Sequence, residues 1–382
     1  MNKRLRLLIT CDDISEVGGL ERVVANLSNV FVENGCEVWV YSVRQKFADL
    51  PYNYDKRVQF VEYFRGIGFP KPKSYIGKLW REVKRFVLWY IYTDWSRQFK
   101  KSARKSDFII CNTYTNKLNK ILSQKNNKNK TIKIVHNSFE CYEERKIDLR
   151  VFKNIVLLTE KNLKAFNQKY PQASFSIIPN FLPSISKESN PLQSKIVLSV
   201  GRMVEGDQKG FFRLVDIWEI VQKDSRFGEW KLHIVGDGLL KEQIQEKIKT
   251  KNLQDSIILK PFTNQIEQEY LRASIYAMTS LFEGLPMVLV ESASFGLPQI
   301  SFDINTGPSD IIENEKSGFL IPDGDLAGYA EKLKALMQDQ NLRESMGKRA
   351  KEIAQEKFSK EVILLKWQKI LHYDYLHNPS TK

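Results

Sequence analysis

LRLLIT, at residues 5–10, opens a pattern of strand, helix and strand that sets the fold class of the chain. The loop CDDISEVGG (residues 11–19) follows it, and apolar side chains then recur at helical spacing from Leu20 to Phe31. CEVWVYSV (residues 36–43) returns as the second strand. Two strands joined by a helix predict a parallel pair, because the crossover brings the chain back in the same direction.

The alternation continues along the whole chain and predicts further strands separated by helical patterns. A segment rich in Pro and Ser, residues 181–194, is the expected linker between two domains. The strands before and after it are SDFIICN, TIKIVHN and KNIVLLT, then KIVLSVGR, WKLHIVGDG, SIILKPF, IYAMTS and PQISFD. We predict an α/β chain with doubly wound domains at 1–183 and 184–360, facing a central cleft, and a helix at 361–382 that packs back toward the first domain.

Composition describes a soluble globular protein, since 42% of the 382 residues are hydrophobic and 27% are charged. The apolar segment at the N-terminus is too short for a secretory signal, and no apolar run approaches the length of a membrane-spanning helix. The four cysteines form no Cys-x-x-Cys pair. We therefore expect reduced thiols in a cytoplasmic protein.

Nearly all of the net charge of +14 belongs to the first half of the chain. Residues 1–185 carry 33 Lys and Arg against 17 Asp and Glu, which is +16, whereas residues 186–382 carry 26 against 28, which is −2. Such asymmetry indicates a polyanionic partner for the first half, either nucleic acid or an anionic membrane surface.

Candidate ligand residues lie where strands end, because open parallel sheets bind ligands outside the carboxyl ends of their strands. Gly18 and Gly19 open the first predicted helix and can bring backbone N–H groups to an anion, although a plain glycine turn fits as well. Arg202 and Lys209 follow the strand KIVLSVG and suit a diphosphate, with solvated surface cations as the alternative.

FEGLPMVLVE, at residues 282–291, places Glu283 after a strand and Glu291 inside an otherwise apolar run. Pro286 fits the first turn of a helix, whose free N–H groups around residues 285–288 would face the cleft. Glu291 could accept two hydrogen bonds from a vicinal diol such as a ribose, which would offset its desolvation. A surface ion pair for Glu291 is the alternative, but no basic residue stands between Arg272 and Lys316.

Two histidines lie in or after predicted strands and receive different interpretations. His233 alternates within WKLHIVGDG and is expected in the core, and the Gly-rich turn that follows is a weak signal for a ligand. His136 ends the strand TIKIVHN and should therefore look into the cleft, although a structural role remains open.

The motifs VGRMVEGDQKGF, LHIVGDG, EGLPMVLVE, ASFGLPQISFD, TGPSDII and SGFLIPDGD resemble, in order and spacing, those of retaining glycosyltransferases of family 4, which have the GT-B fold. The resemblance is strong over residues 195–335. GGLERVV near the N-terminus and the strand-ending His136 support it more weakly. Glu283 and Glu291 form the Glu-x7-Glu signature of that family.

The resemblance implies a role for each matching position. Glu283, Arg202, Lys209 and His136 would be catalytic: Glu283 and His136 contact the donor sugar, and Arg202 and Lys209 hold the diphosphate. Glu291 would bind the nucleotide ribose. The remaining donor contacts would come from Gly18, Gly19, Leu285, Pro286, Met287 and Val288, with Phe262 and Thr263 beside the base.

The same resemblance implies that no metal and no other cofactor is needed, because fixed cations and helix dipoles stabilise the leaving diphosphate. Asp323 and Asp325 form the one Asp-x-Asp of the chain, but Asp325 precedes a helical pattern and is predicted to cap that helix. The resemblance also implies that the anomeric configuration is retained, because the acceptor attacks on the face from which the leaving group departs. We therefore assign no enzymatic nucleophile.

Residues 71–106 carry eleven Lys and Arg against two Asp and Glu, interleaved with aromatic side chains. A basic amphipathic helix of this kind suits an anionic membrane surface, whereas an ordinary helix packed on the sheet is the alternative. Nucleic acid is not expected, because no recognisable binding module accompanies the charge.

We therefore predict a retaining glycosyltransferase, cytoplasmic and peripheral to the inner face of the membrane. It would move a sugar from a nucleotide donor, expected to be a UDP-sugar, to a polyprenyl-diphosphate-linked saccharide in bacterial surface-glycan assembly. A sugar-nucleotide epimerase of similar architecture and a noncatalytic polyanion or membrane-binding protein are the alternatives.

Overall fold

A computed structural model describes residues 4–44, 47, 49–61, 97–114, 121–122, 124–188 and 190–372. The chain divides into two compact units. The N-terminal unit comprises residues 1–157, 164–178 and 366–382, and the C-terminal unit comprises residues 158–163 and 179–365. The domain limits at 183 and 360 stay a prediction from the pattern of the sequence.

The N-terminal unit is built on a parallel sheet of seven strands in the order β3-β2-β1-β4-β5-β6-β7. Its strands are β1 (Arg6–Asp13), β2 (Glu37–Arg44), β3 (Gln59–Val61), β4 (Phe108–Cys111), β5 (Thr131–Val135), β6 (Asn154–Leu157) and β7 (Ser174–Ile177). Its helices are α1 (Gly19–Glu33), a stretch at 97–105, α2 (Lys125–Lys128), α3 (Phe139–Glu144) and α4 (Leu163–Lys169).

The C-terminal unit carries a parallel sheet of six strands in the order β10-β9-β8-β11-β12-β13. Its strands are β8 (Ile196–Val200), β9 (Lys231–Val235), β10 (Ile257–Lys260), β11 (Ile275–Met278), β12 (Gln299–Asp303) and β13 (Gly318–Pro322). Its helices are α5 (Phe211–Gln222), α6 (Lys241–Thr250), α7 (Ile266–Arg272), α8 (Met287–Ser294), α9 (Pro308–Ile311), α10 (Leu326–Gln338) and α11 (Gln340–Phe358); α12 (Lys360–Leu371) follows.

Burial explains why these segments form the sheets. Every residue of β5 is buried, as expected for a central parallel strand with helices on both faces. Trp367 of α12 is 2% exposed, and its ring meets that of Phe31 edge to face at 5.8 Å between centroids. Both aromatic residues belong to the N-terminal unit, so the end of α12 from residue 366 onward packs on α1 within that unit.

The strands predicted from the sequence are all present, but three strands escaped prediction. β3, β7 and β13 all lie at sheet edges. β3 and β7 contain no buried residue, which breaks the apolar pattern that marks central strands, whereas three of the five residues of β13 are buried. β1 also extends to Asp13, three residues beyond the predicted LRLLIT, because residues 11 and 13 still pair with β2.

The basic segment at 71–106 is described only from residue 97 onward; residues 71–96 lie outside the described part of the chain. The helical residues 97–105 bury Phe99 and Ala103 in the core, and the ring of Phe99 packs on Tyr41 at 4.8 Å. Five cations of this stretch are exposed: Arg97, Lys100, Lys101, Arg104 and Lys105. Among the described helices, none has the length and apolarity needed to cross a bilayer.

Candidate functional site

Strand order in the C-terminal unit reverses between β8 and β11, and the charged residues singled out from the sequence cluster there. Arg202 lies just after β8, and Glu283 lies just after β11. These two strands are neighbours in the sheet, so the loops that follow them open at one edge. A topological switch point of this kind is where open α/β sheets bind ligands.

Lys209 and Glu283 form the centre of this cluster. The Nζ atom of Lys209 lies 2.6 Å from Oε1 of Glu283. Their side chains are only 17% and 9% exposed, so each charge offsets much of the desolvation of the other. Lys209, predicted to hold the diphosphate, and Glu283, predicted to contact the donor sugar, therefore lie together within one unit.

Two hydrogen bonds to backbone carbonyls hold the loops after β8 and β11 against each other. Leu281 N–H donates to the carbonyl of Gln208 at 2.8 Å, and the hydroxyl of Thr279 donates to the carbonyl of Gly210 at 2.9 Å. Gly210 has a φ of +67°, and a Cβ there would lie 1.8 Å from the carbonyl oxygen of Thr279. Only glycine therefore allows the loop with Lys209 to approach the end of β11 so closely.

Gly201 makes room for the side chain of Lys209. A Cβ at Gly201 would lie 2.7 Å from Cγ of Lys209, which is well inside van der Waals contact. The alkyl chain of Lys209 therefore lies directly over the end of β8, and its ammonium reaches Glu283 from that side.

Helix α8 begins at Met287, and Pro286 occupies the N-cap position. The predicted first turn at residues 285–288 is therefore wrong by one residue, because Pro286 keeps an extended ψ of 97° and accepts Leu289 N–H through its carbonyl. Leu285 precedes the helix. The N–H groups of Met287 and Val288 are the ones that the first turn leaves without an intrahelical partner.

Glu291 lies one turn into α8 and is held by a tyrosine that the sequence analysis missed. The hydroxyl of Tyr270 donates to Oε2 of Glu291 at 2.9 Å. The Tyr270 ring is buried and stacks on Phe295 with 5.3 Å between centroids. Burial and the nearby Glu291 carboxylate together raise the pKa of Tyr276 well above its usual value.

Three other residues predicted to contact the nucleotide-sugar donor follow strands of the same unit and are exposed or half-exposed: Arg202, Phe262 and Thr263. Arg202 is exposed, and Phe262, two residues after β10, is 60% exposed. The hydroxyl of Thr263 accepts the N–H of Gln265 at 3.0 Å. An exposed ring at a sheet edge is available for stacking on a planar ligand.

Gly18 and Gly19 lie at the start of α1 in the N-terminal unit, as predicted. Tyr52 closes the turn, since its hydroxyl accepts Gly18 N–H at 3.1 Å and donates to the Gly18 carbonyl at 2.8 Å. A Cβ at Gly18 would lie 2.3 Å from Oε2 of Glu21, whereas a Cβ at Gly19 would meet nothing within 4 Å. A carboxylate therefore lies at this helix N-terminus beside the proposed anion contacts.

His136 follows β5 and is half-buried, with its Nε2 atom 2.8 Å from Oδ1 of Asn112. Desolvation, reinforced by Lys133, lowers the pKa of His136 to about 3. His233 lies in β9 at 8% exposure and has its pKa lowered chiefly by burial, in agreement with its predicted place in the core.

The Asp-x-Asp residues have separate structural partners. Asp325 caps α10 by accepting the N–H of Gly328 at 2.8 Å, as predicted. Asp323 pairs with Arg213 at 2.7 Å. Within the residues that the structure describes, no group of three or more His, Cys, Asp and Glu side chains is placed to hold a metal ion.

Comparison with known proteins identifies the C-terminal unit. Residues 183–353 match the family model described as Glycosyl transferases group 1. The amylovoran biosynthesis glycosyltransferase AmsD of Erwinia amylovora is 29% identical over 96% of this chain and 99% of that protein. A Campylobacter jejuni alpha-1,4-N-acetyl-D-galactosaminyltransferase, named for a GalNAc-GalNAc-diNAcBac-PP-undecaprenol substrate, is 27% identical over 50% of this chain and 52% of that protein.

A solved structure of a Staphylococcus aureus TarM point mutant, in complex with fondaparinux, alpha-GlcNAc-glycerol and UDP, superposes with a TM-score of 0.62. It is 27% identical and covers 71% of this chain and 56% of that chain. The chain therefore has bacterial glycosyltransferase relatives and a segment that matches the group 1 glycosyltransferase model, and the similarities confirm the α/β GT-B fold class predicted from the sequence.

Proposed function

We propose that this chain, whose residues 183–353 match the group 1 glycosyltransferase model, is a retaining, metal-independent enzyme of bacterial polysaccharide biosynthesis. It transfers a sugar from a nucleotide donor, in particular a UDP-sugar, to a saccharide carried on polyprenyl diphosphate. The observation that carries the proposal is the Lys209 and Glu283 pair, 2.6 Å apart at the switch point of that domain.

The donor diphosphate binds beside this pair. Lys209 and Arg202 supply positive charge, and the N–H groups of Met287 and Val288 add the positive end of α8. As the bond between the anomeric carbon and the diphosphate oxygen breaks, these fixed groups stabilise the negative charge that develops on the leaving group. The acceptor hydroxyl attacks from the same face and passes its proton to the departing phosphate oxygen, so configuration is retained.

Glu291 binds the ribose hydroxyls, and Tyr270 orients it. The hydrogen bond at 2.9 Å fixes one carboxylate oxygen, and the stack of Tyr270 on Phe295 keeps the phenol ring in place. The carboxylate keeps further lone pairs for a diol. Phe262 is proposed to lie beside the base, and Glu283 and His136 to contact the transferred sugar.

Two observations support a saccharide on polyprenyl diphosphate as the acceptor: the positive charge of residues 1–185 and the substrate for which a relative is named. An acceptor on polyprenyl diphosphate is anionic, which agrees with the +16 of residues 1–185. The Campylobacter relative is named for an undecaprenyl-diphosphate substrate. The exposed cations of residues 97–105 would face an anionic membrane surface, with the enzyme on the cytoplasmic side.

The direct test incubates purified protein with UDP-, GDP- and ADP-sugars and an undecaprenyl-diphosphate-linked saccharide in EDTA. Formation of an elongated lipid product whose new linkage has the anomeric configuration of the donor supports the proposal. An inverted linkage, or activity only on addition of a divalent metal, contradicts it. An epimer formed from donor alone favours the epimerase alternative, and polyanion binding unaffected by Glu283→Gln and Glu291→Gln favours a noncatalytic protein.

A further inference from the structure

A buried polar layer lies at the carboxyl end of the N-terminal sheet, around the histidine proposed to contact the donor sugar. Asn112 and Thr113 follow β4, Lys133 lies inside β5, and His136 follows β5 directly. The first three are 0% exposed. Polar groups placed so deep in an apolar core destabilise the fold unless they have partners, so their presence calls for a role.

Lys133 is the least expected member of this layer, because lysine is almost never fully buried unless it is paired. Its ammonium donates to the carbonyl of Thr113 at 2.7 Å and lies 5.1 Å from the centre of the Tyr114 ring. Desolvation lowers the pKa of Lys133, and Cys111 and Asp12 act in the opposite direction. Through its hydrogen bond to the Thr113 carbonyl, Lys133 connects the middle of β5 to the segment after β4.

Asn112 connects this layer to the imidazole. Its Oδ1 atom lies 2.8 Å from Nε2 of His136, while its Nδ2 atom is buried and has no hydrogen-bond partner among the residues that the structure describes. A carbonyl oxygen can only accept, so Nε2 carries the proton in this arrangement and Nδ1 keeps the lone pair. The amide rotated by half a turn would donate to Nε2 and require the opposite tautomer.

We propose that Asn112 and Lys133 are positioning residues for His136: Asn112 fixes the ring with its proton on Nε2, and Lys133 holds the Asn112 segment in place through its hydrogen bond to the Thr113 carbonyl. His136 then offers Nδ1 as an acceptor for a sugar hydroxyl and has no part as a cation. This inference deepens the proposed function and rests on it for the contact between His136 and the transferred sugar.

The other titratable groups around the ring do not offset Lys133. Tyr114 after β4 and Tyr142 on α3 are neutral, because burial raises the pKa of Tyr114 to about 12 and also raises that of Tyr142 well above its usual value. Asp12 on β1 accepts the backbone N–H of Tyr114 at 2.9 Å, and its charge acts on Lys133. Cys111 on β4 likewise faces Lys133. Lys133 is therefore the charge that acts on His136 from this layer.

Nitrogen-15 NMR of the imidazole rings tests the inference without donor or acceptor. The chain has four histidines, so a His136→Gln variant assigns the signals. We expect the His136 ring to show the Nε2–H tautomer and no titration above about pH 5. An Nδ1–H tautomer, or a midpoint near the ordinary histidine value, overturns the proposal.

Two variants separate the contributions. Asn112→Leu should leave a mixture of tautomers, and Lys133→Met should raise the His136 midpoint by about half a pH unit or more, because a repelling charge is lost. Lys130→Met is the matched control: Lys130 precedes the same strand, donates to the Ser106 carbonyl at 2.8 Å, and should leave the His136 titration unchanged. If Lys133→Met leaves both the tautomer and the titration midpoint of His136 unchanged, Lys133 is not a positioning residue.

The same variants distinguish failure of this inference from failure of the proposed function. If Lys133→Met does not fold, the wild-type ring spectrum and Asn112→Leu still decide the tautomer. A transferase whose His136 has the wrong tautomer refutes the inference alone. A correct tautomer in a protein that neither binds nucleotide nor transfers sugar refutes the proposed function alone.

Discussion

The ammonium of Lys209 lies 2.6 Å from the Oε1 atom of Glu283, although 74 residues separate them in the chain. Both side chains are largely buried, and the loops that carry them are joined by hydrogen bonds from the Thr279 hydroxyl and the Leu281 N–H. Each group is therefore preorganised by the other before any ligand arrives. The pair gives the C-terminal unit a rigid charged centre at its switch point.

Lys209→Met should lower kcat by about 100-fold or more, because it removes a cation from the proposed leaving group and leaves Glu283 without its partner. Steady-state kinetics with the preferred donor checks this. Lys195→Met is the control, since Lys195 forms an exposed ion pair with Glu229 and should leave kcat unchanged. Equal losses in both variants would refute a special role for Lys209.

Tyr270→Phe should raise the Kd for nucleotide by about 3- to 10-fold, because a hydrogen bond to a charged group contributes on the order of 1 kcal/mol. Titration calorimetry measures the change, and Glu291→Gln should weaken binding more. Tyr329→Phe is the control: its buried hydroxyl donates to the carbonyl of Ile300 at 2.9 Å, so stability should fall without loss of affinity. Unchanged affinity in Tyr270→Phe would contradict the proposed orientation of Glu291.

Gly201→Ala should reduce transfer more than it reduces thermal stability, because the added methyl group would displace the Lys209 side chain. Comparison of kcat with Tm tests this. Gly228→Ala is the control, since a Cβ there would lie 3.4 Å from the nearest carbonyl oxygen, an ordinary contact. A Gly201→Ala enzyme with full kcat would show that Lys209 tolerates displacement.

His136 should make unfolding more favourable as the pH falls from about 6.5 toward 3. The folded pKa of His136 is about 3, below its unfolded value, so the unfolded chain takes up a proton that the folded chain does not. Denaturant unfolding at several pH values measures how the free energy of unfolding changes with pH. In His136→Gln, the number of protons taken up on unfolding in this pH range should be smaller by up to one. An identical pH dependence in both proteins would contradict the depressed pKa.

Replacing four exposed cations of residues 97–105 by Gln should weaken binding to anionic vesicles, with each cation contributing up to about 1 kcal/mol. The positions are Lys100, Lys101, Arg104 and Lys105. Co-sedimentation with phosphatidylglycerol vesicles at low and high salt measures the loss. The matched control replaces four exposed lysines of the C-terminal unit: Lys195, Lys223, Lys249 and Lys348. Equal losses would indicate unspecific charge attraction.

Local patterns predicted the central strands and the charged residues at their ends, but not the partners of those residues. Central strands such as β5 are buried on both faces, whereas the edge strands β3 and β7 contain no buried residue; β13 is also an edge strand, but three of its five residues are buried. Glu291 stood out because it interrupts an apolar run. Its partner Tyr270 lies on another helix, and nothing in the sequence near either residue links the two.

Lys133 could have been noticed from the sequence, since TIKIVH places a lysine within a strand predicted to be buried on both faces. Its contact with the Thr113 carbonyl could not, because that depends on the pairing of β4 with β5. The start of α8 was misplaced by one residue for a local reason: Pro286 takes the cap position instead of the first helical one.

Calorimetric titration of UDP, GDP and ADP into the wild type and Glu291→Gln, in EDTA, tests the central claim most directly. We expect one nucleotide, UDP in particular, to bind without metal, and Glu291→Gln to weaken its binding by about 10-fold or more. A well-folded wild type that binds none of the three nucleotides would contradict it.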